Sequence, residues 1–297
     1  MSNSSQYNVD DQVITIVIVN YQSDSDTLRL VDSLNHQYPI VIVDNSATLH
    51  IQSSERLRII CPPRNVGYAA GVNLALKSIA TPYVGILNPD IIIDDIDSIL
   101  TMVAFMESHP QIGIAAPRLD NPDGTRQYSC RTFYTPWLPL FIRALPWVKS
   151  VRKHLMADIE VSYPILVDWV TGAAMIVRRS AYESIGPMDD KFFLYLEDTD
   201  WCYRMWQGGW QIAYVPFVRW IHFHQRQSRG WRREVWWFKW HHIKSFVRYL
   251  FKRRWSSFYG RSHTAKLDVL FPIHNSTALT EQTIAKSSVQ NIKRLSR

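Results

Sequence analysis

Three carboxylates in four positions, Glu197, Asp198 and Asp200, stand directly behind the apolar run FFLYL in the segment FFLYLEDTDWCYR (192–204). Three kinds of chemistry fit such a cluster. Asp198, with Thr199, is placed to cap a short helix over 198–207 that ends at Gly208-Gly209. Asp198-Thr199-Asp200 has the form of an Asp-x-Asp metal site. Asp198 is also suited to be a general base. The apolar run and the like charge of Glu197 raise its pKa, while the N-terminus of a helix favours the ionised form. The expected result is a carboxylate ionised at neutral pH and able to take a proton during a reaction. Asp200 and Arg204 are spaced i, i+4, a pair that stabilises the helix itself.

A second set of polar residues falls just after predicted strands: Asp44, Asn65, Asn88 and Asp90. In an open parallel sheet those positions share one edge and line one crevice. NVGYAAGVN (65–73) puts glycines and small residues at the mouth of a helix, where backbone can approach a phosphate-bearing ligand. Gly67 and Gly71 could equally serve a turn and close helix packing. In LNPD (87–90), Pro89 stiffens the turn and Asp90 projects from it. A hard cation on a diphosphate needs one or two carboxylates and takes its other ligands from phosphate and water, which Asp90 fits. An Asx-turn is the structural alternative.

The elements that must position these groups alternate through the first half. VITIVIVN (13–20) reads as a strand covered on both faces. A helix around Asp26–Asn35 follows, then strands 40–44 and 56–61 and a helix Tyr68–Ile79. Strand 83–88, a helix Asp95–Ser108 capped by Asp94 or Asp95, and strand 112–117 complete a mainly parallel, helix-covered sheet. NPDG (121–124) is a turn, and 135–165 an irregular, proline-containing stretch. VDWVTGAAMIVRR (167–179), FFLYL (192–196) and the two runs within 210–224 are predicted strands of a mixed sheet. Beyond about Gly260 the chain is polar and expected to be loose.

A composition of 46% apolar and 20% charged residues in 297 is that of a globular chain of one large domain or two small ones. The net charge of +7 is concentrated. Between Trp231 and Trp255 eight lysines and arginines stand against Glu234 alone, and elsewhere bases and acids balance. That pattern indicates a local anionic partner surface rather than nucleic acid. On a helical wheel Trp236, Trp240, Ile243, Val247 and Leu250 share one arc and His241, Lys244, Ser245, Arg248 and Lys252 the opposite one. Such a helix could lie in an anionic lipid leaflet, or pack on the protein with a solvated basic face. The odd set Cys61, Cys130 and Cys202 has no metal spacing and suggests a reduced, intracellular protein. The polar N-terminus lacks the pattern of a signal peptide, and no apolar run reaches 18 residues, so no membrane span is expected.

Taken in order, VDNS (43–46), RNVGYAAGVN (64–73), LNPD, DWVTGAAMIVRR and FFLYLEDTDWCYR resemble the motifs of family-2 glycosyltransferases of the GT-A fold. The likeness spans roughly 13–255 and is strongest to the bacterial rhamnosyltransferases of surface-polysaccharide (O-antigen-type) synthesis, through CRTFYTPW, VDWVTG and the basic aromatic segment. It implies a Rossmann-like α/β nucleotide-diphospho-sugar transferase fold with a mixed central sheet and a C-terminal amphipathic helix. The implied organisation is a polar tail (1–12), a catalytic unit (13–229, donor half to about 120), a basic membrane-associating helix (230–260) and a second polar tail (261–297).

The implied donor site is Asn20, Tyr21, Asp44, Asn65, Gly67, Asn73 and Asn88, with Asp44 on the nucleobase. Asp90 stands for the last acid of the metal motif, whose first acid is replaced by the neutral Asn88. His222 or His224, on one face of a strand, resembles the late metal histidine, with Mg2+ or Mn2+ as cofactor. Trp169, Thr171, Gly172 and Glu197 fall on the acceptor side, and Asp198 aligns with the base. The implied reaction is inverting transfer, from dTDP-β-L-rhamnose or a UDP-sugar, to a polyprenyl-diphosphate-linked saccharide at the cytoplasmic face of the bacterial inner membrane. A nucleotidyltransferase is the first rival, but NYQSDSD after the first strand is neither glycine-rich nor basic. A non-catalytic lipid-surface module is the second.

Overall fold

The computed structural model describes residues 13–34, 37–134, 149–223 and 233–252. The strands of its central sheet are β1 (Ile14–Asn20), β2 (Ile40–Asp44), β3 (Leu57–Ile60), β4 (Tyr83–Leu87), β5 (Ile91–Ile92), β6 (Ile112–Asp120), β10 (Ala174–Arg178) and β11 (Gln211–His222), with β8 (Ile165–Leu166) paired to β11. Their order across the sheet is β3-β2-β1-β4-β10-β6-β11-β5. β1, β2, β3 and β4 are parallel, while β10 runs antiparallel between β4 and β6. The β-branched runs of β1 and β2 are buried along their whole length, as the continuous apolar sequence requires. One core cluster covers each face. Helices α1 (Asp24–Ser33) and α3 (Ser98–Ser108) cover one, and α2 (Tyr68–Leu76) the other.

A ribbon of β7 (Cys130–Arg131) and β9 (Trp169–Val170) stands apart from this sheet. Helices α4 (Lys149–His154), α5 (Arg179–Ile185), α6 (Glu197–Gln207) and α7 (Arg233–Lys252) complete the described chain. The helices start and stop within a few residues of expectation. At α3 the N-cap position is Asp97, not Asp94 or Asp95, and no side chain caps it; Asp95 instead receives the Asp97 N–H from two residues away. The 210–224 runs form one long bulged strand, because β11 pairs with β6 on both sides of a register shift. Segment 167–179 is not one strand: Thr171 turns away to donate to the Ser129 carbonyl, leaving β9 in the ribbon and β10 in the main sheet.

The FFLYL expectation is overturned. Residues 192–196 form a turn in which Tyr195 and Leu196 both have left-handed backbone, φ 71° and 69°. No strand lies beside it. The Phe193 carbonyl accepts the Tyr68 N–H, and the Leu194 carbonyl accepts the Ser245 hydroxyl. Each left-handed non-glycine residue costs about 1–3 kcal/mol unless its surroundings impose it. Here they do. Phe193 packs edge-on to Trp237 and against His241, and Tyr195 against His242, all from α7. Gly67, itself left-handed, is required on the other side, since a Cβ there would lie 2.4 Å from the Phe193 carbonyl oxygen.

Candidate active site

The ends of β1, β4 and β11, the start of α2, the β7–β9 ribbon and the 193–199 turn enclose one cavity of about 810 Å³. At one end Tyr21, Asn65, Gly67, Asn88 and Asp90 line the wall together, joined by Asp26 and Asn45. Asn65 Oδ1 accepts the Gly67 N–H at 2.8 Å, shaping the entry to α2. Asn45 spans the same loop, bonding the Gly67 carbonyl and the Val66 N–H.

Asn20, Asp44 and Asn73 do not line the cavity. Asp44 is buried, and its oxygens accept from Asn20, from the Ser46 N–H and hydroxyl, and from the Leu49 N–H. Burial alone would raise its pKa, but these hydrogen bonds outweigh it and the net shift is downward. Asn20 also bonds Asp24 and Thr27, so the pair braces the β1–α1 and β2 ends from behind. Asn73 clamps both backbone groups of Met188.

Pairing of β5 with β11 puts His222 opposite Ile91 and ties the Phe223 N–H to the Asp90 carbonyl. His222 Nε2 then lies 3.2 Å from Asp90 Oδ1. The ring's protonation follows from its other side. The Gln127 amide nitrogen donates to the His222 carbonyl and to Asn121 Oδ1, so its oxygen must accept from His222 Nδ1 at 2.8 Å. In the neutral ring Nε2 is therefore an acceptor facing a carboxylate oxygen. Two acceptors at that distance call for a cation between them, a proton or a metal ion. Among the described residues no group of three or more His, Cys, Asp or Glu side chains comes together. The donor set suits a hard divalent ion that completes its shell with diphosphate and water. His224 lies outside the described residues.

At the other end Trp169, Thr171, Gly172, Glu197 and Asp198 line the cavity together. The left-handed Leu196 occupies the N-cap position of α6, so Asp198 sits inside the first turn and is not the cap. Its Oδ2 accepts the Gly172 N–H at 2.9 Å, and Oδ1 accepts the Thr199 N–H at 2.7 Å. Gly172 is fixed in turn by the Tyr68 hydroxyl on its carbonyl. Burial raises the Asp198 pKa, opposed by these hydrogen bonds and by the charge of Arg131. Glu197 is pushed up further, by burial and by Asp198, and among the described residues its Oε2 has no hydrogen-bond partner. Folding therefore favours the protonated form of Glu197 more strongly than that of Asp198. Asp200 points away into a buried cluster with Arg204 (3.0 Å) and Lys252 (2.8 Å), which excludes the Asp-x-Asp reading.

A mixed sheet whose strand ends carry a carboxylate–histidine pair and, across one cavity, a backbone-held aspartate has the architecture of the GT-A fold. The chain belongs to glycosyl transferase family 2, whose profile matches residues 15–186. It is 27% identical over 262 residues to the rhamnosyltransferase WbbL of Escherichia coli K12, covering 82% of this chain and 94% of that one. It is 26% identical over 252 residues to the N-acetylglucosaminyl-diphospho-decaprenol L-rhamnosyltransferase of Mycobacterium tuberculosis, covering 73% and 78%. Among solved structures, the mannosyltransferase PcManGT of Pyrobaculum calidifontis, crystallised with GDP-Man and Mn2+, superposes with a TM-score of 0.52 at 14% identity. That superposition covers 95% of this chain and 75% of the other. GalNAc-T7 with UDP, GalNAc and Mn2+ gives 0.56 at 15%, over 85% of this chain and half of that one.

The proton on Glu197 has a measurable consequence. Its carboxyl has an ordinary pKa of 4.5, raised on folding. The folded protein keeps a proton that the unfolded chain releases, so stability falls as pH rises above that ordinary value. Glu197→Gln should match the parent near pH 4 and be progressively more stable toward about pH 8, by urea denaturation across the range. A constant offset would show that Glu197 does not titrate with folding.

Proposed function

We propose that the protein is an inverting, metal-dependent rhamnosyltransferase that moves L-rhamnose from dTDP-β-L-rhamnose to a polyprenyl-diphosphate-linked saccharide in surface-polysaccharide synthesis. The observation that carries this reading is the shared cavity. Asp198, oriented by the Gly172 and Thr199 N–H groups, faces the same space as the Asp90–His222 pair. The sugar and lipid parts rest on the names of the relatives. A UDP-sugar donor is the alternative.

In this reading Asn45, Asn65 and Gly67 shape the nucleotide end, and Asp90 and His222 hold Mg2+ or Mn2+. When bound, the ion offsets the charge of the departing diphosphate. Asp198 takes the proton of an acceptor hydroxyl positioned among Trp169, Thr171, Gly172 and the neutral Glu197. Attack comes from the face opposite the leaving group.

A general base contributes about 10²–10⁴-fold, so Asp198→Asn should lower kcat by that factor and leave donor affinity nearly unchanged. Asp200→Asn should instead cost about 1.5–3 kcal/mol in denaturation, as a hydrogen-bonded charge is lost from its cluster, and keep turnover within a few-fold. A dead Asp200→Asn beside an active Asp198→Asn would move the base by two residues. Donor titrations with and without Mg2+ or Mn2+ test the other end. Asp90→Asn should abolish most of the cation dependence, and undiminished turnover after chelation would exclude the ion.

Peripheral attachment to the inner leaflet of the bacterial cytoplasmic membrane belongs to the same proposal. No helix among the described residues is long and apolar enough to cross a membrane. α7 supports attachment by its orientation, which differs from the simple wheel. Ser245 is buried, and Arg248 and Lys252 are tied to Asp189. The apolar arc faces outward instead, with Trp236 57%, Trp240 62%, Ile243 57% and Phe251 82% exposed. Leu250 alone of the expected arc turns inward. Two of the segment's basic groups are thus spent on internal ion pairs, so insertion of Trp and Phe contributes more to attachment than charge does. Each basic residue still near the surface, such as Lys244, adds about 1 kcal/mol. Vesicle co-sedimentation should show binding that Trp236→Ala/Trp240→Ala reduces strongly, with a preference for anionic lipid and a moderate salt effect. Absence of binding to neutral and anionic vesicles alike, with no effect of the double variant, would make α7 purely structural.

A further inference from the structure

Four cavity-lining side chains carry acid groups, Asp26, Asp90, Glu197 and Asp198, and two carry a guanidinium, Arg126 and Arg131. The two arginines are used differently. Arg126 spends its donors on the backbone carbonyls of Met156, Ala157 and Ile159, and so fastens the 156–159 loop. Arg131 donates through Nε alone, to the Tyr128 carbonyl at 3.0 Å. Among the described residues its two terminal amino groups have no acceptor, and it forms no ion pair. Its neighbours fix its place. Antiparallel pairing of β7 with β9 sets Arg131 opposite Trp169, and the guanidinium lies 5.1 Å from the centroid of the indole.

A guanidinium stacked on an aromatic ring and anchored at Nε is preorganised, with its planar fork still available. That fork matches two oxygens of a phosphate. In the transferase reading the donor's diphosphate is held at the Asp90–His222 pair, which belongs to the central sheet and not to the ribbon. Arg131 belongs to the ribbon that carries Trp169, and it neighbours Asp198 without touching it. A sugar 1-diphosphate spans such a gap, with a ring hydroxyl at the base and the anomeric phosphate one ring width away. We propose that Arg131 binds the diphosphate of the acceptor, so that the enzyme selects a saccharide linked to a lipid diphosphate over the same saccharide in neutral linkage. The inference rests on the transferase reading above and extends it to acceptor selectivity.

The full-length protein is assayed with dTDP-rhamnose and two acceptors, N-acetylglucosamine linked to a short prenyl diphosphate and the octyl glycoside of the same sugar. A charge-assisted bidentate contact predicts that Arg131→Gln raises KM for the diphosphate acceptor by about ten- to hundredfold. KM for the octyl glycoside and KM for the donor stay as they were, while the pH profile of kcat moves upward alike on both acceptors, because the guanidinium charge that opposes the rise of the Asp198 pKa is gone. Arg131→Lys, which keeps the charge without the fork, recovers part of the loss. Equal losses on both acceptors overturn the anion site while leaving the transferase reading in place. A raised donor KM would assign Arg131 to the donor, and a shifted pH profile with an unchanged KM for the diphosphate acceptor would make it a tuner of Asp198 alone. Either result overturns the proposal. Transfer to neither acceptor overturns the parent reading and this one with it.

Discussion

Two consecutive left-handed residues, Tyr195 and Leu196, set the direction in which the acidic helix enters the cavity. Without that reversal α6 would continue the line of 192–194, and its first-turn carboxylates would not meet the Gly172 N–H. The strain persists because neighbours on three sides remove the alternatives. Tyr68 and Gly67 hold the Phe193 carbonyl from the donor side, Ser245 holds Leu194 from α7, and the histidines and Trp237 of α7 cover the ring faces. A close approach that only glycine allows at 67 therefore links the 65–68 loop at one end of the cavity to the turn that carries Asp198 at the other.

The same turn separates three acids that the sequence presents as a cluster. A helix advances about 100° per residue, so neighbours at 197, 198 and 200 face different surroundings. Glu197 is buried beside the charge of Asp198, and both effects favour its protonated form. Asp198 meets backbone N–H groups and a nearby guanidinium, which oppose the rise that burial causes. Asp200 meets Arg204 and Lys252 on the far side, where it secures α7. Environment rather than residue type assigns the roles.

α7 shows the cost of that arrangement. Its polar arc turns inward because Asp189, Asp200 and the Leu194 carbonyl offer partners there, worth more to cations and a hydroxyl than open solvent. The tryptophan arc is left facing out. The helix that supports the 193–196 turn is therefore also the helix that exposes a wide apolar stripe, so any surface that covers the stripe acts on the element beside the catalytic turn.

By themselves the residues determined the alternation of strands and helices and placed Asn88 and Asp90 at a strand end, while the pairing of Asp90 with a late histidine and the choice of Asp198 among the three acids came from the family resemblance. Continuous β-branched runs can only be buried strands, and polar residues at their ends can only lie on the rim of the sheet. Long-range contact decided the rest. FFLYL has strand composition, but Tyr68 and Ser245 take the Phe193 and Leu194 carbonyls and impose a turn. Asp44 and Asn20 are strand-end residues like Asp90, yet the β1–β2 register points them at each other and seals them behind the wall. Asp26 carried no motif, and Asn45 and Arg131 stood inside VDNS and CRTFYTPW without being singled out. Arg131 became visible only through its pairing opposite Trp169, because the availability of a donor depends on which acceptors the fold brings near it, and sequence spacing does not record that.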